Sequence, residues 1–334
     1  MTKRKIIKYG WQEEALMRSI TAIFKDDADR ARWAPCFQRF GNLVQMLLVQ
    51  DISNTMAHFH EECITPALFI ISTSLYPAEN PGLVECIRGL CPHSEFLLIA
   101  SPLDPFPPLN PLVNDNVRHL VIDMEEAAAD GSDDTSLLDT VVNKLLEMAP
   151  LKLGDYLKSG TCIHEFRVSS TEQKEELIGC LELLIAGEGP DVELLRQKGA
   201  LLADEMLENA FYGAPRDEKG ASRYEKGEQR PIHPHETILF RVGFDGACLA
   251  MEMEDNWGSL APNTVLEYLA INQSSGDICD EMGGRGLFII WRFLDHMHIH
   301  IEPGRQTVVG GQVKLITEEN LSENKGFHIT CSAH

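Results

Sequence analysis

The stretch Thr237–Gly258, TILFRVGFDGACLAMEMEDNWG, decides how the second half of this 334-residue chain is read. Asp245-Gly246 is a two-residue hairpin signal set between apolar runs, so Thr237–Phe244 and Ala247–Asp255 are expected to be paired antiparallel strands. On the second strand Leu249, Met251 and Met253 share one face, and Glu252 and Glu254 share the other. The strand ends at Asp255, and Gly258 follows in a turn.

Working outward, Ile163–Val168 reads as a strand. Thr171–Ala186 reads as a helix, with Leu177, Leu181, Leu184 and Ile185 at helical spacing. Pro190 opens a long helix to about Tyr212. After the hairpin come a loop, a helix Arg285–Leu294, a strand His296–Glu302, a Pro303-Gly304 turn and a last strand Gln312–Ile316. Hairpin-linked strands with helices on one face describe an α+β sandwich over residues 151–334. The first half alternates differently. Lys5–Tyr9, Leu43–Val49, Ala67–Ser72, Glu95–Ala100 and His119–Asp123 are expected strands. Gln12–Phe24, Ser53–Cys63, Pro81–Cys91 and Ser136–Met148 are the helices between and after them. Apolar strands alternating with helices imply a parallel sheet covered on both faces, an α/β flavodoxin-like domain over residues 1–150. Residues 125–134 form an acidic loop, and Pro215–Pro234, charged and broken by glycine and proline, reads as a mobile excursion.

Composition bounds the function. Apolar residues make up 44% and charged residues 24%, as in packed globular domains. The net charge of −22 sets nucleic acid and anionic membrane surfaces aside as partners. No apolar run approaches the ~20 residues of a membrane helix, and MTKRKIIKYGWQEE lacks the apolar core of a secretory leader. The nine cysteines are scattered and without CxxC, as expected of reduced thiols in a cytoplasmic protein.

Three segments carry candidate chemistry. Glu205 and Asn209, four apart on the long helix, lie on one face. A carboxylate there can accept a proton from an attacking hydroxyl, and an amide oxygen is a hard ligand suited to magnesium. Asp255 can accept a hydrogen bond from an exocyclic amine such as that of adenine. In Gly283-Gly284-Arg285-Gly286-Leu287 a glycine loop runs into an apolar helix, where free N–H groups and close backbone approach suit phosphate oxygens. Each pattern alone is common on ordinary helices and turns.

Their order and spacing resemble the Bergerat-fold ATPases, and most of all the anti-sigma-factor serine kinases, over roughly residues 160–318. The resemblance implies ATP and magnesium as ligands. It implies Glu205 as general base, Asn209 as magnesium ligand, Asp255 and Gly258 at adenine, and Gly284, Arg285, Gly286 and Leu287 in the phosphate loop. The anti-sigma branch is similar in having only a strand and one helix, Ile163–Ala186, before the Glu/Asn helix and a short loop between the Asp and glycine motifs. Where the family shows Gly-Thr near the last strand this chain has Gly311-Gln312, which removes a hydroxyl that could contact the nucleotide. The first half resembles receiver domains in strand–helix order only. Gln12-Glu13 follow the expected first strand, Ser72 stands where the acceptor Asp would be, and the Lys is absent. This predicts a pseudo-receiver, or else a plain interaction domain.

Two histidine patterns are decoys. His164 in His-Glu-Phe-Arg sits at a strand, only 45 residues before Asn209, too few for a histidine-kinase hairpin and its strands. His296, His298 and His300 share a strand face, expected to be half-exposed. Two functions follow from the resemblance. One is a protein serine/threonine kinase acting on a protein partner, an anti-sigma antagonist or a sigma factor, as in bacterial partner-switching. The other is a non-catalytic module whose ATP binding shapes a partner-binding surface. A homodimer is compatible with both.

Overall fold

The computed structural model describes residues 19–52, 65–76, 82–102, 104–122, 136–275, 284–315 and 325–332. The expected strand Lys5–Tyr9, the helix Ser53–Cys63 and the acidic loop 125–134 lie outside them. The protein is mixed α/β. It divides into two compact units, one comprising residues 1–107 and 114–149, the other residues 108–113 and 150–334.

In the first unit, β1 (Ile20–Phe24), β2 (Val44–Leu48), β3 (Leu68–Ser72), β4 (Glu95–Ala100) and β5 (His119–Ile122) stand in the order β2-β1-β3-β4-β5, each neighbour parallel. Helices α1 (Asp27–Phe37), α2 (Leu83–Leu90) and α4 (Leu137–Glu147) alternate with them, whereas α3 (Leu109–Asn114), between β4 and β5 in the chain, belongs to the second unit in all but its last residue. Every residue of β1 and β3 is buried, as strands covered on both faces require. The expected helix Gln12–Phe24 is corrected here over its last five residues; residues 12–18 lie outside the described ones. Ile20–Phe24 is a strand because it pairs on both sides, with β2 and β3, and that pairing overrides an apolar spacing compatible with either element.

The correction moves acidic residues to a strand end. Lys25-Asp26-Asp27 follow β1. Asp26 caps α1, accepting from the N–H groups of Ala28 and Asp29. Asp29 in turn accepts from the hydroxyls of Ser72 (3.1 Å) and Ser74 (2.7 Å) at the end of β3.

In the second unit, β6 (Ile163–Arg167), β7 (Ile238–Phe244), β8 (Cys248–Asp255), β9 (His296–Glu302), β10 (Gln306–Lys314) and β11 (Gly326–Cys331) form the order β11-β9-β10-β8-β7-β6. Only the β11–β9 pairing among them is parallel. Helices α5 (Lys174–Leu184), α6 (Pro190–Glu208), α8 (Arg285–Phe293) and α7 (Pro262–Ser275) contact one another in that sequence, and α6 lies on β8 and β10. Leu249, Met251 and Met253 are buried on that face.

Four expectations are corrected here. The last strand is not Gln312–Ile316: β10 begins at Gln306, directly after the turn that closes β9, and β11 follows it. The connection between Asp255 and the glycine motif is not simply a short loop, because it contains the 14 residues of α7. Its Val265, Leu266, Leu269 and Ala270 are buried, and burial of that stripe holds the helix. His296 and His298 are 1% exposed rather than half-exposed. The 3-10 turn Leu153–Tyr156 covers them, with the Tyr156 hydroxyl on His296 Nδ1 (2.9 Å) and His298 Nδ1 (3.2 Å). Finally, the stretch 215–234 is tied down by its own bonds, among them a buried Arg230–Glu236 ion pair of 2.6 Å. No described helix is long and apolar enough to cross a membrane.

Candidate functional site

The site is built where α6 ends. Pro190 at the first turn starts α6, and its buried stripe of Leu195, Leu202, Ala203, Met206 and Leu207 holds it to the sheet. The helix runs on into a π-helical turn, Asn209–Gly213, closed by Ala214 N–H donating to Asn209 O at 2.7 Å. Such widened turns recur at functional sites, because the extra residue re-aims the side chains on either side of it. Here Asn209 and Gly213 face a cavity of about 250 Å3 whose apolar walls include Met206, Met253, Tyr268, Leu287 and Ile290.

Asp255 reaches this cavity from the end of β8. Its Oδ1 accepts from the Trp257 N–H at 2.9 Å. Burial pushes its pKa up to about 7; the N–H groups of Trp257 and Gly258 oppose the rise, and the Glu254 charge adds to it. Thr307 lies directly across from Asp255 in the β8–β10 register. It is 2% exposed and lines the same cavity, and its hydroxyl has no hydrogen-bond partner among the described residues. An apolar slot therefore ends in one carboxyl acceptor and one unsatisfied hydroxyl, a pairing suited to a flat ring that carries an amine.

Gly284 caps α8 in the left-handed region (φ 78°), a conformation glycine adopts without strain. Gly286 then passes so near α6 that a Cβ on it would lie 2.9 Å from Glu205 Oε2 and 2.8 Å from Asn209 Oδ1. The glycine is what lets the start of α8 meet Glu205 and Asn209. Beyond this contact a second cavity, of about 450 Å3, opens onto Glu205, Glu208, Lys226 and Arg285. Asn209, Gly213 and Gly286 line both cavities, so the two adjoin there. Burial raises the proton affinity of Glu205, and the Lys226 charge opposes that rise. Arg285 is exposed at the head of α8, and Leu287 is buried one turn in.

The residues expected from the sequence thus converge, with one exception. Gly258 does not line either cavity. It adopts a left-handed conformation (φ 56°), and its carbonyl accepts from Gly304 N–H at 2.9 Å. A Cβ there would run into the backbone of Glu302, Gly304 and Arg305, so Gly258 fits the loop against the β9–β10 turn. Sequence reasoning missed Thr307, and with it the supply of a hydroxyl. Gln312, which the resemblance sets in that position, is on the other face of β10, where its amide oxygen accepts from the Cys248 thiol at 3.4 Å. The signal available was the Pro303-Gly304 turn itself: so tight a turn demands that a strand resume at once, which brings Thr307 beside Asp255.

Among the described residues no group of three His, Cys, Asp or Glu side chains is arranged to hold a metal ion. Magnesium does not require one, since it keeps waters and takes one or two protein oxygens together with phosphates. The Asn209 amide oxygen beside Gly286 and Glu205 fits that role. No protein-family model matches the chain, and no curated protein matches it.

Proposed function

We propose that the second unit binds ATP with magnesium and that the protein is a serine/threonine protein kinase with a Bergerat-fold ATPase domain, similar to the anti-sigma-factor kinases. One observation carries this reading. Glu205, Asn209, Asp255, Gly284 and Gly286, recognised as separate motifs, line two adjoining cavities, and an unpartnered Thr307 hydroxyl stands beside Asp255. The helix layer on one face of a mostly antiparallel sheet supports the sandwich assignment. The parallel order β2-β1-β3-β4-β5 supports a flavodoxin-like first unit. Its Ser72 in the acceptor position supports a pseudo-receiver.

Asp255 and Thr307 select the base: the ionised carboxylate accepts from the amine of adenine, and the hydroxyl satisfies a second ring edge. The N–H groups at the head of α8 take phosphate oxygens. Magnesium, held by Asn209 and the phosphates, would neutralise phosphate charge during transfer. Glu205 accepts the proton of the attacking serine or threonine hydroxyl, a task its raised proton affinity suits. The acceptor hydroxyl belongs to a protein partner, an anti-sigma antagonist or a sigma factor, in the cytoplasm. The Thr307 hydroxyl supplies a nucleotide contact that Gln312 does not, and retention of Glu205 favours transfer over a non-catalytic module.

ATP at about 100 times its Kd should stabilise the protein by about 2.7 kcal/mol. Glu205→Gln should keep that stabilisation and abolish transfer of labelled phosphate to protein, because a general base acts in the transition state. Absence of any melting shift at millimolar ATP would defeat the proposal.

A further inference from the structure

The motif order gives no role to the stretch between the π-turn and β7, yet this stretch is fastened at several points. Arg230 and Glu236 are 5% and 0% exposed at their side chains, and the Arg230 guanidinium lies 3.5 Å over the Tyr224 ring. Ser222 Oγ donates to Tyr212 O at 2.5 Å, and the Tyr212 hydroxyl donates to Glu228 O at 2.7 Å. These bonds fix the backbone on both sides of residue 226 against the π-turn that carries Asn209. From there Lys226 joins Glu205, Asn209 and Arg285 in lining the second cavity, while it takes no part in the apolar one.

The Lys226 side chain is 76% exposed and pairs with Glu208 Oε2 at 3.4 Å, an ion pair too long to be a good hydrogen bond. Glu208 has a nearer partner on its other oxygen, Lys174 Nζ at 2.9 Å. Lys226 can therefore leave Glu208 with that carboxylate still paired to Lys174 through its other oxygen. An anchored backbone, a free-swinging ammonium and a replaceable partner are what a phosphate contact needs before its ligand arrives.

We propose that Lys226 is a phosphate-binding residue that moves from Glu208 onto the terminal phosphate of the bound nucleoside triphosphate. The terminal phosphate is singled out by position. Glu205 must stand beside the phosphoryl group that is transferred, and Lys226 shares the Glu205 cavity rather than the Asp255 cavity. The assignment rests on the nucleotide reading given above, and ADP separates the two.

Binding of ATP and of ADP, each with magnesium, is to be measured by calorimetry for wild type, Lys226→Ala and Lys226→Arg. Loss of one charge-assisted phosphate contact should weaken ATP about tenfold or more in Lys226→Ala, leave ADP within about twofold, and be largely reversed in Lys226→Arg. The melting temperature of nucleotide-free Lys226→Ala should match wild type, since an exposed ion pair contributes little to folding. Equal losses for ATP and ADP, or ATP binding unchanged in Lys226→Ala, would overturn the assignment and leave the nucleotide reading standing. A wild type that binds neither nucleotide would overturn both.

Discussion

Glu252 and Asp255 sit on the same strand, three residues apart, each 6% exposed, yet their carboxyl groups are driven in opposite directions. Glu252 faces the histidine side of the sheet. Burial pushes its pKa up, but His298, Arg241 and the Leu153 N–H outweigh that and hold it down at about 2. Its contacts are His298 Nε2 at 3.2 Å, Arg241 Nη1 at 2.8 Å and Leu153 N at 3.0 Å. Gly310 lies between Glu252 and His298 in the sheet register, and with no side chain there the imidazole reaches across β10. Asp255 faces the helix side, where burial prevails over two backbone N–H groups and carries its pKa up to about 7. Equal burial thus has opposite consequences, set by how fully the protein itself satisfies the charge. A satisfied carboxylate holds structure together, whereas one left short of partners is available to a ligand.

The comparison predicts its largest effect at Glu252. Glu252→Ala should destabilise the fold by about 3 kcal/mol in chemical denaturation, since it strands the His298 imidazole and the Leu153 N–H in a buried setting. Arg241 keeps Glu165 and Glu254, which limits the damage. A loss below about 1 kcal/mol would show that this network is not the structural one of the pair.

Asp255→Asn should do the reverse. A carboxyl raised from 3.8 to about 7 binds more protons in the folded than in the unfolded state between those values. Its contribution to stability therefore falls as pH rises through that window, and its full cost is present above pH ~7. Asparagine has no such cost and can still accept from the Trp257 N–H. Nucleotide-free Asp255→Asn should melt a few degrees higher than wild type at pH 8, on the order of 1 kcal/mol or more, while its ATP-dependent shift disappears. A variant that melts lower and still binds ATP would break the comparison.

The same carboxyl makes binding depend on pH. With Oδ1 taken by the Trp257 N–H, a proton on Oδ2 would set a donor against the adenine amine, so affinity should fall as pH drops through ~7, to about a tenth at pH 6 of its value at pH 8. Adenosine is the right probe, because its binding carries no phosphate titration. A flat profile would place the amine elsewhere.

Much of this was legible in the sequence and some was not, for physical reasons. The Asp245-Gly246 hairpin, the long α6 and the meeting of Glu205 with Asn209 follow from local periodicity and turn chemistry. Ile20–Phe24 was not legible because five residues, four of them apolar, suit a helix or a buried strand until their neighbours are known. The start of β10 was obscured by Gly310-Gly311, which weaken a strand signal, although at Gly310 the missing side chain is what admits His298. Helix α7 carried its own signal in Pro262 and the stripe Val265, Leu266 and Leu269, but that stripe is short and ends close to the glycine motif, and so reads as a loop. Lys226 had no local signal, since nothing periodic marks a charged loop that folds back on a helix end.

The smallest predicted effect is the sharpest test of what an unsatisfied group means. Thr307 and Val have nearly the same shape, so Thr307→Val removes a hydroxyl and little else. Where a buried hydroxyl is bonded within the protein, its removal costs about 1 kcal/mol of stability. The Thr307 hydroxyl has no partner among the described residues, so the nucleotide-free variant should be as stable as wild type or slightly more stable. Its ATP affinity should nonetheless fall about threefold to tenfold, the value of one neutral hydrogen bond made only in the complex. A stability loss with affinity intact would make Thr307 a structural residue like Glu252. Stability held with affinity reduced would place it with Asp255, on the side of the sheet that the fold leaves unfinished for its ligand.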